Sequence, residues 1–453
     1  MATNARLQRP ADVASLAAFR IGFGILLLVL SLRYFAHGWI AEYFLKPAHF
    51  FKYWGFGWVQ AWPGLGMYVH FGLMALCALG VVLGYRYRAS ILGYGLLFAY
   101  AHLIDKTNYL NHYYLVVCVC GLMACLPLAS AWSLDARRDE RLRRAELPNW
   151  MLWALRAQFG LVYVFGGIAK LNADWLFRAE PLSSWLGRHS DWPVVGELLA
   201  ARSTAFAMSW AGALFDLSIV PLLLWRKSRA LAFGVLVMFH LLTASLFSIG
   251  MFPYLMIAGA TLFFEPNWPR EWAQLLPTTP TVAVTRPLMT ARWLQPALAA
   301  YFVVQLLLPA RHLLYPGQQC WSEQGFRFSW NVMLMEKNGA VDFRVVEPST
   351  GRTFRVSPSD YFTPYQTAMM STQPDMVLEA ARTIAADYRA RGLARPAVYA
   401  DAFASLNGRA MQRLLDPAVD LAREVDGLSN KTWILPMTTE PSSRVASISG
   451  SLP

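Results

Sequence analysis

Nine apolar stretches of membrane-spanning length dictate what this chain can become. They fall at about 14–36, 66–84, 87–104, 112–131, 151–169, 204–225, 230–248, 252–264 and 292–310. An apolar run of roughly 18 or more residues satisfies its own backbone only as a helix when water is absent, so each is read as a spanning helix. The eighth is short and reads as an extended or re-entrant segment. Only 15% of the 453 residues are charged, and 56% are hydrophobic. A soluble chain of this length would carry nearer one quarter charged residues. The run after Arg6 and Arg9 has no small-residue cleavage site behind it, so it reads as a retained first span.

A net charge of +12 raises the question of nucleic acid, and its distribution answers it. From residue 315 onward fourteen Lys and Arg balance fourteen Asp and Glu, so the excess belongs to the apolar part. There it sits in alternate short loops: Arg6 and Arg9; Arg86 and Arg88; Arg137, Arg138, Arg141, Arg143 and Arg144; Arg226, Lys227 and Arg229; Arg270, Arg286 and Arg292. That pattern is a topology signal and not a nucleic-acid footprint, and it places the N-terminus inside and the C-terminus outside. With that orientation the 105–112 loop, the end of the fifth span at Lys170, the turn 247–252 and the C-terminal half all reach the outer face.

After the last span the pattern changes. Residues 326–334 and 341–346 alternate like half-buried strands, with Lys337, Asn338 and Gly339 read as a hairpin turn between them. A third strand is expected at 353–356, a helix over 375–390 ending at Gly392, another strand over 398–406, and a short helix after Arg409. The whole reads as a polytopic α-helical membrane protein of about nine spans, residues 1–312, followed by an extramembrane α+β domain, 313–437, and a Ser-, Thr- and Pro-rich tail, 438–453, read as disordered. Cys77, Cys118, Cys120 and Cys125 lie in apolar spans and Cys320 stands apart, so neither a disulfide framework nor a zinc site is expected, and no metal.

Ionisable groups within apolar spans need a reason to be there. Arg20 and Arg156 lie near the inner ends of their spans and read as snorkelling cations. His70 and His102, near outer ends, read as interfacial histidines with backbone partners. Asp216 and His240 stand near mid-span, either paired with each other or, in the case of His240, forming the floor of a site rimmed by the turn 247–252. Lys170 sits where the fifth span gives way to polar residues, with Asp174 and Trp175 a helical turn on, and is either an anchor or a reagent. The 105–112 loop is dense in polar groups, and Asn111 and His112 would lead into the fourth span.

At these residues the chain resembles the vitamin K-dependent γ-glutamyl carboxylases, whose membrane part is also called the horizontally transferred transmembrane domain. The segments that carry the resemblance are DKTNYLNH at 105–112, GGIAKLNADW at 166–175, His240 followed by LFSIGMF at 246–252, PNWPR at 266–270, FSW at 328–330 and QRLLDP at 412–417. They keep the family's order from about residue 14 to 436. Position 169 is Ala where animal members carry a second lysine, and the chain ends near where those members continue into a β-rich domain.

The resemblance implies that Lys170 is the base that deprotonates vitamin K hydroquinone. Oxygen then turns the quinol anion into a far stronger base on the way to the epoxide, that base removes a γ-proton from a glutamyl side chain, and carbon dioxide captures the carbanion. A quinol hydroxyl resembles a phenol, with a pKa of roughly 10, so a neutral amine is a competent base, and apolar surroundings disfavour the ammonium form. Arg could not substitute, because it stays protonated. His112 joins Lys170 as a catalytic candidate. Asn111, His240, Met251, Phe252, Asp105, Lys106, Asp174 and Trp175 are candidates for holding the cofactor, and Met376, Leu378, Arg413 and Asp416 for holding a glutamate-containing peptide. The implied setting is a bacterial inner membrane with the C-terminal domain outside the cytoplasm. A quinone- or lipid-binding carrier, or a quinol-dependent oxygenase that does not carboxylate, remains the alternative.

Overall fold

The computed structural model describes residues 7–273 and 293–438. The expected disordered tail lies, apart from residue 438, outside the described residues, as do Arg286 and Arg292. The chain separates into two compact units, the first drawing on 7–46, 56–168, 212–273 and 293–308, the second on 47–55, 169–211 and 309–438. Residues 47–55 and 169–211, which the sequence places among the spans, thus group with the C-terminal part.

All nine apolar stretches are helical. They form α1 (Ala14–Ala36), α2 (Gly66–Leu83), α3 (Tyr87–Ile104), α4 (Asn111–Cys125), α5 (Asn149–Ala169), α6 (Arg202–Leu224), α7 (Arg229–Leu246), α8 (Phe252–Ala260) and α9 (Leu294–Ala310). Among the described residues six helices are long and apolar enough to cross a membrane, namely α1, α2, α5, α6, α7 and 294–314, while α4 and α8 with its 3-10 extension are shorter. Close packing relies on small residues, as helices in lipid commonly do. A Cβ at Gly24 of α1 would press on Val82 at 2.9 Å, one at Gly95 of α3 on Cys120 at 2.9 Å, and one at Gly167 of α5 on Leu217 at 2.8 Å.

Two arginines depart from the sequence reading. Arg20 does not snorkel. It is fully buried and donates from Nη1 to the carbonyls of Val81 (2.6 Å) and Val82 (2.8 Å), and from Nη2 to that of Trp132 (2.6 Å). Arg156 likewise donates to the carbonyls of Leu262 (2.7 Å) and Phe264 (2.9 Å). Helix ends leave carbonyls short of intrahelical partners, and here arginines from neighbouring helices meet those at the end of α2 and after α8, Arg20 reaching the loop carbonyl of Trp132 as well. The N-terminus is fixed similarly: β1 (Pro10–Asp12) pairs antiparallel with β2 (Glu146–Pro148), and Asp12 both accepts from Ala14 N (2.7 Å) and pairs with Arg270 (2.9 Å).

The second unit is α+β. Its antiparallel sheet has the order β4 (Thr353–Val356), β3 (Lys337–Val346), β5 (Ala397–Leu406), β6 (Gln412–Arg413). Val341, Phe343 and Val345 of β3 and alternate residues of β5 face the core, where α10 (Pro374–Ala390) contributes Val377, Ala381 and Ile384. Phe51, from the segment 47–55, enters the same core beside Phe362, with ring centroids 4.9 Å apart.

Three local expectations are corrected here. Residues 326–334 form no strand: Phe328, Trp330 and Met333 have φ of 63°, 56° and 55°, which no β-strand admits. Lys337, Asn338 and Gly339 are not a turn but the start of β3, paired with Leu406, Ser405 and Ala404. After Arg409 the chain forms β6 against β5 and no helix. Each motif was locally ambiguous, and pairing over a distance decided it.

Replacing Arg20 by Leu should cost about 2 kcal/mol or more, since the carbonyls of Val82 and Trp132 lose their donor, that of Val81 keeping Gly84 N, and an unpaired buried group costs about 1–3 kcal/mol. The expected result is a melting temperature lowered by several degrees in nanodiscs, with Arg20→Lys intermediate. An unchanged melt would show that those carbonyls do not need the guanidinium.

Candidate functional site

The residues singled out from sequence divide into two clusters, one in each unit. In the first, Asp105 ends α3 in an extended conformation and accepts from both the backbone N (2.9 Å) and Oγ1 (2.8 Å) of Thr107, capping a 3-10 turn over Lys106–Asn108. Asp105, Lys106 and Thr107 are almost completely buried. Tyr109 Oη donates to Asn111 Oδ1 (2.8 Å), and α4 starts at Asn111, which places His112 in its first turn and buried.

The turn 247–251 closes on the same place. Gly250 has φ 63°, a conformation that favours glycine, and a Cβ there would lie 3.7 Å from His112 Nε2. The ring of Phe252, at the start of α8, lies 6.0 Å from the His112 ring and 5.9 Å from that of His240. Met251 Sδ accepts a contact from Arg33 Nη1 of α1 at 3.5 Å. His240 does not rely on Asp216 as its expected partner: its Nε2 lies 2.7 Å from Tyr163 Oη on α5. Its Nδ1 is buried with no hydrogen-bond partner. The Tyr163 contact leaves that atom a defined role, because whichever of the pair donates at Nε2 decides whether Nδ1 donates or accepts. Phe215 and Phe239 enclose the ring, at 6.3 and 5.4 Å. His70 and His102, as their positions implied, meet the backbone carbonyls of Leu97 (2.9 Å) and Phe98 (2.6 Å).

The second cluster begins where α5 ends. Lys170 occupies a tight turn in which Asn172 N donates to Lys170 O (2.8 Å). Asn172 then caps the short helix Ala173–Arg178 by accepting from Trp175 N (3.0 Å) and donates back to Ala169 O (2.8 Å). Only 5% of Lys170 is exposed, although Ile168 and Leu171 beside it are about half exposed, as residues meeting lipid would be. The amine lies 5.2 Å from the centroid of the Trp175 ring. That indole is itself fixed, since Nε1 donates to Ser209 O (2.7 Å) and Ser209 Oγ donates to Trp175 O. A side chain at a turn is usually loose, but this one is held at both shoulders.

Asp174 points the other way. Both its oxygens accept from Arg409, at 2.7 and 2.5 Å, and Oδ2 also accepts from Asn407 Nδ2 (3.0 Å). Burial raises its pKa, but hydrogen bonds from Arg409 and Asn407 and the charges of Arg409 and Arg178 outweigh that and hold the carboxyl below the usual range. Beside it a cleft of about 670 Å³ is lined by Asn172, Asp174, Trp321, Gln324, Arg409 and Lys431, among others. A buried ion pair near this wall, Lys337 with Glu323 (3.0 Å), is further tied by Lys337 Nζ donating to Trp321 O (2.7 Å).

The peptide candidates fare differently. Met376 and Leu378 are fully buried in the core of the second unit, because that face of α10 meets the sheet, so no peptide could reach them in the folded state. Arg413 is partly exposed, pairs with Asp401 (2.9 Å) and lies over Phe403, while Asp416 accepts from Ala418 N (2.9 Å) in a turn. Sequence reading missed Tyr163, Arg33, Asn407 and Arg409. A tyrosine two turns before Lys170 in an apolar span was the available signal for the first. Asn407 looked like an ordinary Asn-Gly turn. Among the described residues no cluster of His, Cys, Asp and Glu could hold a metal ion.

Two family models match the chain: the HTTM domain over residues 8–268, and the lumenal domain of vitamin K-dependent gamma-carboxylase over residues 290–440. No solved structure matches it.

The bond pattern of Asp174 predicts a pH response. A carboxyl with a lowered folded-state pKa contributes stability above its unfolded value, about 3.9, and loses it as pH falls through the folded value. Thermal melts followed by Trp fluorescence between pH 3 and 7 should therefore fall at the acid end, and Asp174→Asn should be less stable at pH 7 while losing less on acidification. Parallel profiles for the two proteins would refute this role.

Proposed function

Because the chain belongs to the vitamin K-dependent γ-carboxylase family, whose membrane and lumenal parts it matches in turn, we propose that it carboxylates glutamyl side chains at the expense of reduced vitamin K, oxygen and carbon dioxide. The observation that carries this reading is Lys170: a nearly buried amine, held by a capped turn and an anchored indole, between two apolar residues that are exposed. The bound hydroquinone would supply, by reaction with oxygen, the strong base that takes the glutamyl γ-proton before carbon dioxide adds to the carbon.

The residues fit such a group. The first-unit cluster is aromatic and apolar apart from His112, His240, Tyr163 and the capped 105–112 loop, and the unpartnered His240 Nδ1 is an atom that a quinol oxygen would satisfy. His112 and Asn111 would orient one ring oxygen, His240 the other, with Phe252 and Met251 against the ring face. Lys170 would accept the phenolic proton at Nζ, which requires the free amine. Exclusion of water matters for the same reason, because a strongly basic intermediate would otherwise be quenched.

For the acceptor we assign the cleft beside Asn172 and Asp174, where the amides of Asn172, Gln324 and Asn430 lie near a surface that Trp321 and Met437 make partly apolar. The proposed topology is nine spans with the N-terminus in the cytoplasm and the second unit outside, supported by the arginines in alternate loops. That arrangement lets quinol arrive from the bilayer and a glutamate-containing peptide from the water.

Full-length protein in nanodiscs, given reduced vitamin K, bicarbonate and glutamyl peptides, should form epoxide and γ-carboxyglutamate in step. Lys170→Ala and Lys170→Arg should lose both. Epoxide from the wild type with no carboxylated product over many peptides would leave a quinol oxygenase and remove the carboxylase, and quinone binding with no turnover would leave a carrier. Tyr163→Phe, which removes one hydrogen bond worth about 1 kcal/mol, should raise the quinol KM about five-fold and leave kcat nearly unchanged.

A further inference from the structure

Between Lys170 and α6 the chain makes a feature that the proposed chemistry does not use. Residues 188–199 form a compact knuckle with an apolar tip. Val194 is completely exposed, Leu198 is 63% exposed, and Trp192 and Val195 about 40% each. The knuckle is wound tightly: Gly196 N donates to Trp192 O (2.9 Å), Leu199 N to Val195 O (2.9 Å) and Val195 N to Pro193 O (2.8 Å), while the His189 ring lies tilted against that of Trp192, centroids 4.4 Å apart. A Cβ at Gly196 would overlap Ser190 O, so the two limbs of the knuckle touch through backbone. Its tip holds Val194 at φ 69°, a conformation that a β-branched residue adopts only under constraint. Its base is braced on the second unit, where Trp185 and Arg188 both donate to the carboxylate of Glu336 just before β3.

We propose that this knuckle seats in the lipid surface on the Lys170 side of the membrane and ties the second unit to it. Four large apolar side chains project from a rigid support, rimmed by Arg188, Asp191, Glu197 and Arg202, the order of groups found in interfacial segments. Chain length leaves the tip little choice of depth. Only seven residues separate Val194 from Arg202, where a helix apolar enough to span begins, and five of them form the short helix Gly196–Ala200. That stretch reaches at most about 20 Å. Trp192 has the amphipathic ring that settles at headgroup level. In water the exposed, constrained Val194 has no purpose. In lipid its exposure is the contact. The proposal is independent of the quinol chemistry, so either can fail alone.

The test uses full-length protein in nanodiscs with Val194→Cys, and separately Leu198→Cys, labelled with a nitrobenzoxadiazole dye, against Arg395→Cys as an aqueous reference and the unsubstituted protein as background for its five free cysteines. Dye at 194 and at 198 should emit to the blue of dye at 395, be quenched at least two-fold by lipids carrying a shallow nitroxide, and resist iodide. Quenching by iodide equal to that at 395, with no response to the nitroxide lipid, would overturn the proposal. So would protection that persists in dilute detergent and grows with protein concentration, which would assign the face to a second copy, or protection that appears only when glutamyl peptide is added.

Discussion

A carbonyl oxygen at the end of a helix has no water to turn to in hydrocarbon, and the first unit is built around that demand. Arg20 meets two such oxygens at the end of α2 and a third in the loop at Trp132, and Arg156 meets two. Because these guanidiniums come from neighbouring helices, satisfying the backbone also fixes where helices end relative to one another. Small residues then let helix pairs approach to contact. The polar loop at 105–112 meets the opposite demand, that of a backbone N–H, with Asp105, whose carboxylate accepts from Thr107 and caps the turn that carries the chain from α3 into α4. Once the backbone is quiet, the remaining polar atoms stand out, and His240 Nδ1 is one of them.

In the proposed reaction the two clusters would divide the work. One is an aromatic cluster with imidazole and phenol groups at defined positions. The other presents an amine and, on the far side of a single helical turn, a carboxylate locked to an arginine. The Lys170 amine lies over the Trp175 indole, and four residues on the Asp174 carboxylate is held by Arg409 and Asn407.

Much of this was legible in the sequence. Apolar run length gave nine helices, because in lipid a single physical rule overrides other preferences, and local motifs marked Lys170, His112, Phe252 and the 105–112 loop. Partners were not legible, since Tyr163 and His240 are 77 residues apart and Asp174 and Arg409 are 235 apart. Burial was misjudged where local pattern and tertiary packing disagree. Arg20 and Arg156 looked like headgroup anchors, and Met376 and Leu378 like surface of an exposed helix. The segment 326–334 alternates in hydropathy as a strand would, but left-handed residues at 328, 330 and 333 turn it into a knotted loop that buries Trp330. Alternation reports which side chains are buried and not the backbone that buries them.

Asn407 sits at φ 51° at the end of β5, accepts from Glu336 N (2.9 Å) and donates both to Leu334 O (3.4 Å) and to Asp174 Oδ2 (3.0 Å). One side-chain amide therefore stitches the rim of the sheet to the helix that follows the lysine. The amide itself carries no charge, so its bonds to Glu336 N and Leu334 O do not depend on salt or acid, while its bond to Asp174 is charge-assisted and weakens once that carboxyl is protonated. The rim of the sheet thus keeps its shape in acid, and its tie to the short helix Ala173–Arg178 is the part that acid would loosen.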